Sequence, residues 1–246
     1  MIQLINVSKQ YSNKSILNNI SFKVEKGEKV CLLGKNGSGK STLINIISGL
    51  LKPSEGKLLI ENEEISFSSH NYHKNFGYFF ENPILIDKLT VKEFLFFVSK
   101  LYGLSSNVTH NRINSLLSFF NLPDEDKYIE QFSLGMKIKT SLAAALIHKP
   151  KYLVLDEPFK GLDIESVRDF INLMKTFIKK NNMLFITSHN LDIVANLCNR
   201  FLIMDKGKII MDLQKTDYQD IDEIKKVITG RITTDNTNLQ DLSWLK

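Results

Sequence analysis

The most informative stretch of the sequence is Val30-Cys31-Leu32-Leu33-Gly34-Lys35-Asn36-Gly37-Ser38-Gly39-Lys40-Ser41. Its first four residues form a continuous apolar run, which is typical of a strand buried in the middle of a parallel sheet. The next eight match the pattern G-x-x-x-x-G-K-[ST], and the amphipathic segment from Lys40 to Gly49 predicts a helix directly after them. A strand, a glycine-rich loop and a helix in this order predict a loop that binds phosphate groups.

The residue types in this loop suit phosphate chemistry. Glycines allow the backbone to come close enough for its amide groups to face phosphate oxygens. The start of the helix adds the positive end of its dipole, Lys40 can reach the β- and γ-phosphates, and Ser41 can offer a hydroxyl group to Mg²⁺. The residues predicted to bind the phosphates are Gly34, Lys35, Asn36, Gly37, Ser38, Gly39, Lys40, Ser41 and Thr42.

A second apolar strand pattern, at 152–155, is followed at once by two carboxylates, Asp156 and Glu157. Open parallel sheets bind ligands at the carboxyl ends of their strands, which is where these side chains are expected to lie. Asp156 can hold Mg²⁺ through water, and Glu157 can orient or deprotonate an attacking water. An apolar run that ends in acidic residues is also a common strand end, but its pairing with the phosphate loop favours the catalytic interpretation.

Strand and helix patterns alternate along most of the chain. The first 80 residues contain mainly strand and turn patterns, whereas residues of about 85–150 have helical periodicity, opening with the capping-box pattern at Thr90 and Glu93. Strand patterns return at 152–155 and 183–187, with a helical pattern between them. This order predicts an α/β fold whose parallel sheet is covered on both faces and interrupted by an inserted helical subdomain.

The composition is that of a folded globular protein. Of the 246 residues, 43% are hydrophobic and 24% are charged, and the net charge of +5 is too mild to indicate nucleic-acid binding. Two cysteines, Cys31 and Cys198, are too few for a disulfide framework, so a reducing cytoplasm is expected. The sequence has no apolar run of about 18 residues and no signal-peptide pattern at its start, so we expect no membrane span and no secretion by this chain alone.

In the order and spacing of these motifs, residues 1–212 resemble the nucleotide-binding subunit of ABC transporters. The segment 132–136, Phe-Ser-Leu-Gly-Met, resembles the family signature L-S-G-G-Q with three departures. It keeps Ser133 and Gly135, which the family uses to grip the γ-phosphate across a dimer. A serine before a helix is by itself an ordinary N-cap, but Ser133 lies 23 residues before Asp156, as in the family.

Three further residues match family positions, and each also has a plain structural explanation. His189 resembles the histidine that senses the γ-phosphate, although a histidine at a strand end is often only a hydrogen-bonding residue. Asp163 resembles the aspartate that bridges the two ATP sites of a dimer, although it can simply begin a helix. Tyr11 lies where the family stacks an aromatic ring on adenine, although a surface or core tyrosine is an equally ordinary interpretation.

One departure concerns the metal. The family has a glutamine that touches Mg²⁺ and couples to the membrane subunit, and this sequence has Glu81 in its place. A carboxylate is a harder ligand than an amide, but it adds negative charge beside the γ-phosphate. The hypothesis is that Glu81 keeps the metal and coupling roles, so the expected metal ligands are Ser41, Glu81 and Asp156.

The resemblance implies a P-loop NTPase (RecA-like) core with an antiparallel β subdomain and an inserted helical subdomain. It implies an ATP-binding domain at 1–215, with the helical subdomain at about 85–150, and leaves 216–246 as a tail of unknown role, either a small β/α appendage or a partner contact. Expected cofactors are ATP and Mg²⁺. Expected partners are a second ATPase subunit, identical or different, and integral-membrane permease subunits that hold the chain at the cytoplasmic face of the membrane.

Two functional classes stay open at this stage. The signature variant resembles ATPase subunits of Gram-positive exporters for drugs or antimicrobial peptides, which favours export. The alternative is a soluble ABC ATPase of the iron–sulfur assembly type, which has the same length and motifs. DNA-repair ATPases insert long coiled coils between the phosphate loop and the signature. Only 93 residues separate Gly39 from Ser133 here, and they contain no sustained heptads, so this third class is disfavoured.

Overall fold

The computed structural model describes residues 1–67, 71–124, 127–178 and 182–232. The strands are β1 Ile2–Tyr11, β2 Lys14–Val24, β3 Lys29–Leu33, β4 Glu55–Ile60, β5 Glu63–Glu64, β6 Phe76–Phe79, β7 Tyr152–Asp156, β8 Met183–Thr187, β9 Arg200–Asp205 and β10 Lys208–Gln214. The α-helices are α1 Lys40–Ile47, α2 Val91–Leu101, α3 Ser106–Phe120, α4 Leu134–Leu146, α5 Ile164–Phe177, α6 Leu191–Ala195 and α7 Ile221–Ile232.

The strands form two sheets. The larger sheet has the order β10-β9-β3-β8-β7-β6, with parallel pairing throughout except for the β9–β10 hairpin. The smaller sheet has the order β2-β1-β4-β5 and is antiparallel. The phosphate loop follows β3, so it begins at the carboxyl end of a strand that has parallel neighbours on both sides.

The larger sheet is buried on both faces. Cys31 and Leu33 of β3 pack in one core with residues of α2 to α5 and α7, and Val30 and Leu32 pack in a second core with α1 and the antiparallel sheet. Successive residues of a strand point to opposite faces, so a strand covered on both sides needs an apolar residue at every position. This requirement explains the uninterrupted apolar run that begins at Val30.

Three helices, α2, α3 and α4, lie between β6 and β7, where the sequence predicts a helical insertion. The predicted capping box is present: Thr90 Oγ1 accepts a hydrogen bond from the Glu93 amide (3.2 Å), and Glu93 Oε2 accepts one from the Thr90 amide (2.8 Å). Two backbone groups that a helix start leaves unpaired are thereby satisfied. The limits of the helical subdomain, about 85–150, stay a prediction.

Part of the tail packs on the body of the protein. Ile224 and Ile228 of α7 are buried in the core on the helical side of the larger sheet. Lys225 forms an ion pair with Asp192 of α6. The first part of the segment 216–246 thus belongs to the folded unit, its role stays open, and Trp244 lies outside the described residues.

The helices are short. The longest of those described, α3, has 15 residues, and no helix in the described ranges is long and apolar enough to cross a membrane. Both cysteines are free and buried.

One partly buried histidine lies just after α4 and contacts the C-cap residue of α2 and the first residue of β6. The His148 ring stacks on Tyr102 with centroids 3.6 Å apart, and its Nε2 donates a hydrogen bond to the Phe76 carbonyl oxygen (2.8 Å). Its Nδ1 is buried and has no hydrogen-bond partner within the described part of the chain. Burial disfavours the charged ring and lowers the pKa of His148 to about 4.

This pKa predicts a pH dependence of stability. Between pH 6.5 and 4 the unfolded chain binds a proton at His148 that the folded chain does not, so the free energy of unfolding falls as the pH is lowered through this range. His148→Gln keeps a donor for the Phe76 carbonyl oxygen but does not titrate. When the pH is lowered from 7.5 to 5.0, we expect its free energy of unfolding, measured by urea denaturation, to fall by about 2 kcal/mol less than that of the parent. Equal losses in the two proteins would contradict this account.

Candidate functional site

Close packing forces glycine at two positions of the phosphate loop. Gly39 has φ +107°, and a Cβ atom there would lie 2.8 Å from Met204 Cε and 2.9 Å from a methyl carbon of Leu17. A Cβ on Gly34 would lie only 2.4 Å from the Met204 carbonyl oxygen. The backbone of the loop can therefore follow its path only without side chains at these two positions.

The turn between β9 and β10 holds the loop from the other side. The Gly207 amide donates to the Ser38 carbonyl oxygen (3.0 Å), and the Asn18 amide of β2 donates to the Gly207 carbonyl oxygen (2.8 Å). The loop is thus fixed between β2 and the β9–β10 hairpin. No motif in the sequence marks this support, because the contacts join residues that are more than 160 positions apart.

The loop presents a cation and an unpaired hydroxyl group. Lys40 is buried, and its Nζ donates to the carbonyl oxygens of Gly34 (2.8 Å) and Lys35 (3.2 Å). Ser38 Oγ is buried without a partner among the residues that the structure describes. Ser38 is not among the described residues that line the neighbouring cavity, whereas the Lys40 ammonium lines it and suits an anionic ligand.

A cavity of about 870 Å³ opens beside the loop. It is lined by Lys14, Ser15, Ile16, Gly34, Lys35, Asn36, Gly37, Gly39, Lys40, Ser41, Thr42, Glu81, Asp156, Glu157, Lys160, His189, Lys206 and Gly207. The described lining contains five lysines against three carboxylates, a balance that favours a polyanionic ligand. The cavity thus brings together the residues of the phosphate loop other than Ser38, the two carboxylates at the end of β7, Glu81 and His189.

The two carboxylates at the end of β7 are held by a threonine that the sequence analysis missed. Thr187, at the end of β8, donates to Asp156 Oδ1 (2.5 Å) and accepts a hydrogen bond from the Glu157 amide (3.0 Å). Asp156 and Thr187 are directly paired in the parallel register of β7 and β8. Only the strand order reveals this partner, since Thr187 lies 31 residues away from Asp156.

Glu157 and His189 form a polar pair at the cavity wall. Their Oε2 and Nδ1 atoms lie 2.9 Å apart, and the Glu157 side chain is 13% exposed. A carboxylate only accepts, so Nδ1 carries the hydrogen and Nε2 is an acceptor, or a second donor when the ring is protonated. Glu157 also has φ +50°, a conformation uncommon for a residue with a side chain. Such local strain is often found where a side chain must be aimed at a ligand.

Glu81 has a cationic partner. Lys160 Nζ lies 2.5 Å from Glu81 Oε1, and both side chains line the cavity. The hydrogen bond to Glu81 raises the pKa of Lys160, so the lysine stays charged. Lys160 therefore offsets the negative charge that Glu81 adds to the cavity. The sequence analysis did not identify Lys160.

The oxygen donors that line the cavity suit Mg²⁺. Ser41 offers a hydroxyl group, Asp156 and Glu81 offer carboxylates, and all three line the same cavity. The described residues include no cluster of three or more acidic, histidine or cysteine side chains that could hold a metal by themselves. Mg²⁺ commonly takes one or two carboxylates together with substrate phosphates, so this donor set fits a nucleotide-bound metal.

The other predicted site residues lie elsewhere on the described surface. Ser133 caps α4, accepting a hydrogen bond from the Met136 amide (3.3 Å). Asp163 caps α5, and the hydrogen bond from the Ser166 amide (2.8 Å) lowers the pKa of its carboxyl group. Of the described residues that line the cavity, none is Ser133, Gly135, Asp163 or Tyr11.

Tyr11 ends β1 and is about half exposed. The Lys9 ammonium lies 5.2 Å from the centroid of its ring, a distance at which a cation is attracted to an aromatic face. The predicted stacking of Tyr11 on adenine stays a prediction, because the described cavity is reached by Lys14 to Ile16 rather than by this ring.

The sequence is similar to those of two bacterial ATP-binding proteins. The chain is 36% identical over 218 residues to the linearmycin resistance ATP-binding protein LnrL of Bacillus subtilis (strain 168). The aligned residues cover 88% of this chain and 70% of LnrL. It is 32% identical over 225 residues to the lantibiotic transport ATP-binding protein SrtF of Streptococcus pyogenes, covering 91% of this chain and 95% of SrtF. The similarity to both relatives thus extends over most of the chain.

A solved structure and a family profile agree with these relatives. The fold matches the dimeric structure of a bacterial ABC transporter cassette with a TM-score of 0.80 and 25% identity, over 87% of this chain and 99% of that one. The profile described as ABC transporter matches residues 17–160. These matches confirm the predicted P-loop NTPase fold class. The chain therefore belongs to the ABC transporter family, as one of its ATP-hydrolysing subunits.

Proposed function

We propose that this chain binds Mg²⁺ and ATP in the cavity beside the phosphate loop and uses hydrolysis to drive export of an antimicrobial compound through separate membrane subunits. The observation that carries the proposal is the convergence of Lys40, Asp156, Glu157 and His189 on one cavity. The names of LnrL and SrtF, resistance to linearmycin and transport of a lantibiotic, support the export part. They also disfavour the soluble iron–sulfur assembly alternative.

In the proposed complex, the triphosphate lies along the phosphate loop. Lys40 exchanges its hydrogen bonds to the Gly34 and Lys35 carbonyl oxygens for phosphate oxygens, and backbone amides at the start of α1 face the same oxygens. Charge-assisted hydrogen bonds of this kind are roughly twice as strong as neutral ones. Ser41, Asp156 and Glu81 would hold Mg²⁺, and the bound ion would neutralise charge on the phosphates.

Hydrolysis then depends on Glu157. A water oxygen attacks the γ-phosphorus, the bond to the β–γ bridging oxygen breaks, and the water proton moves to the Glu157 carboxylate. His189, 2.9 Å from that carboxylate, orients it and faces the γ-phosphate from the cavity wall. The products are ADP and inorganic phosphate.

We assign two of the predicted site residues outside the cavity, Ser133 and Asp163, to the contact with a second ATPase subunit, which is identical to this chain or related to it. Ser133 and Asp163 are exposed at the starts of α4 and α5, beside two apolar side chains, Leu134 (61% exposed) and Ile164 (90% exposed). A solvent-exposed helix start with exposed apolar neighbours suits a surface that closes on a phosphate held by another subunit. The dimeric cassette of similar fold supports this arrangement.

An exposed apolar surface marks the proposed permease contact. The exposed side chains Ile84, Ile86, Phe97 and Leu101 lie on the segment after Glu81 and on α2. A groove of about 570 Å³ between α2 and α3 is lined largely by apolar surface, including Phe96, Phe97 and Ile113. We assign this surface to cytoplasmic segments of the membrane subunits, which would hold the chain at the cytoplasmic face of the membrane.

The assignment of Glu157 predicts that Glu157→Gln binds ATP as tightly as the parent but hydrolyses it about 10²- to 10⁴-fold more slowly, because a positioned general base is lost. Phosphate release measures hydrolysis, and calorimetric titration measures binding. The matched control is Glu165→Gln, since Glu165 is exposed on α5 and pairs only loosely with Arg168 (3.8 Å). Hydrolysis by Glu157→Gln near the parental rate would refute the assignment.

The docking surface predicts a change in membrane association. In cells that produce the chain together with its proposed membrane subunits, the double change Phe97→Ser and Leu101→Ser is expected to lower the membrane-bound fraction about tenfold or more, since two apolar contacts are lost. Ile210→Ser, at an equally exposed position on β10, should leave that fraction unchanged. A parent chain that never fractionates with membranes would instead favour the soluble alternative.

A further inference from the structure

Three carboxylates line the end of the cavity that is proposed to hold the metal and the γ-phosphate. They are Glu81, Asp156 and Glu157. Asp156 is tied to Thr187 and Glu157 to His189, both of which can be neutral. Glu81 differs, because its partner is the permanently cationic Lys160.

The Glu81–Lys160 pair joins two loops that lie 79 residues apart. Glu81 follows β6, Lys160 follows β7, and these strands are neighbours in the sheet. A turn in which the Lys160 amide donates to the Glu157 carbonyl oxygen (3.2 Å) brings the lysine back toward Glu81. The pair is thus placed by the sheet and by the turn that also contains the proposed base.

This ion pair is exposed enough to be exchanged. The Glu81 side chain is 38% exposed and that of Lys160 is 63% exposed. Exposed ion pairs contribute little to stability, so a structural role is a weak explanation for this one. Mg²⁺ strongly prefers carboxylate oxygens, and it would compete with the lysine ammonium for the same Glu81 oxygens.

We propose that Lys160 neutralises the charge of the Glu81 carboxylate while no metal is bound, and that the entering metal displaces the Lys160 ammonium from it. The lysine then remains in the cavity as a cation beside the phosphates. This inference rests on the proposed function, since it assumes that the cavity binds a nucleotide with a divalent metal. Lys160 would then balance the negative charge of Glu81 whenever no metal is bound.

The proposal predicts an effect that exists only when both residues are present. In Lys160→Gln the metal no longer has to displace a cation from Glu81, so the metal concentration at half-saturation should fall about fivefold. In Glu81→Gln the metal should bind more weakly. Adding Lys160→Gln to Glu81→Gln should then change nothing further, because the carboxylate for which metal and lysine compete is absent.

The test uses the full chain in excess over a non-hydrolysable ATP analogue, so that all of the nucleotide is bound. Mn²⁺ replaces Mg²⁺ as the titrant, and loss of the free Mn²⁺ signal in electron paramagnetic resonance reports metal binding without requiring activity. The parent, both single variants and the double variant form one cycle. Lys160→Arg, which keeps the cation, should behave like the parent.

Two controls separate the possible failures. Lys88→Gln breaks a comparable exposed pair, Lys88–Glu130 (2.7 Å), that does not line the cavity, and it should leave metal binding unchanged. If Lys160→Gln has the same effect with and without Glu81, or no effect, the inference is overturned while the proposed function stands. If the parent binds neither analogue nor metal, the proposed function fails and the inference with it.

Discussion

The backbone at Gly34 passes so close to β9 that a single added carbon atom would lie 2.4 Å from the Met204 carbonyl oxygen. This approach fixes where the phosphate loop leaves β3, and the hydrogen bond from Gly207 to Ser38 fixes where it turns toward α1. The buried position of Lys40 and the amides at the start of α1 follow from that path. A side chain at Gly34 would push the loop away from the sheet and displace the groups that are proposed to bind phosphate.

The rest of the site depends on the strand order. The loop follows β3, and the next two strands in the sheet are β8 and β7, which end in Thr187 and Asp156. Parallel strands bring their carboxyl ends to one edge, so residues far apart in the chain meet beside the loop. His189 and Glu157 then form a pair within the same cavity, and Glu81 joins them from the end of β6. The sheet thus places an anion-binding loop opposite a group of carboxylates.

Local patterns were sufficient to predict much of this arrangement. The apolar run at 30–33, the glycine pattern after it and the Thr90–Glu93 capping box each depend on neighbouring residues, and all three have the expected structure. Thr187, Lys160 and Met204 could not be found in this way, because each acts through partners at least 30 positions away. Their roles appear only when the strand order is known.

The residues outside the cavity show a different limit of sequence reasoning. Ser133 and Asp163 cap helices in this chain, as their plain structural interpretations require, and their proposed contacts with nucleotide need a second subunit. The predicted stacking of Tyr11 likewise needs a nucleotide base that this chain does not supply. A motif can thus predict the chemistry of a residue without showing which chain supplies its partner.

The central proposal for this protein is that the phosphate loop binds ATP through Lys40. Titration calorimetry of ATP with Mg²⁺ into the parent and into Lys40→Met, which keeps the length of the side chain but removes its charge, tests this directly. One ATP per chain is expected for the parent, with binding at least about tenfold weaker in the variant, because a hydrogen bond to a charged group contributes roughly 1.5–3 kcal/mol. Equal affinity in the two proteins, or a folded parent that binds no ATP, would contradict it.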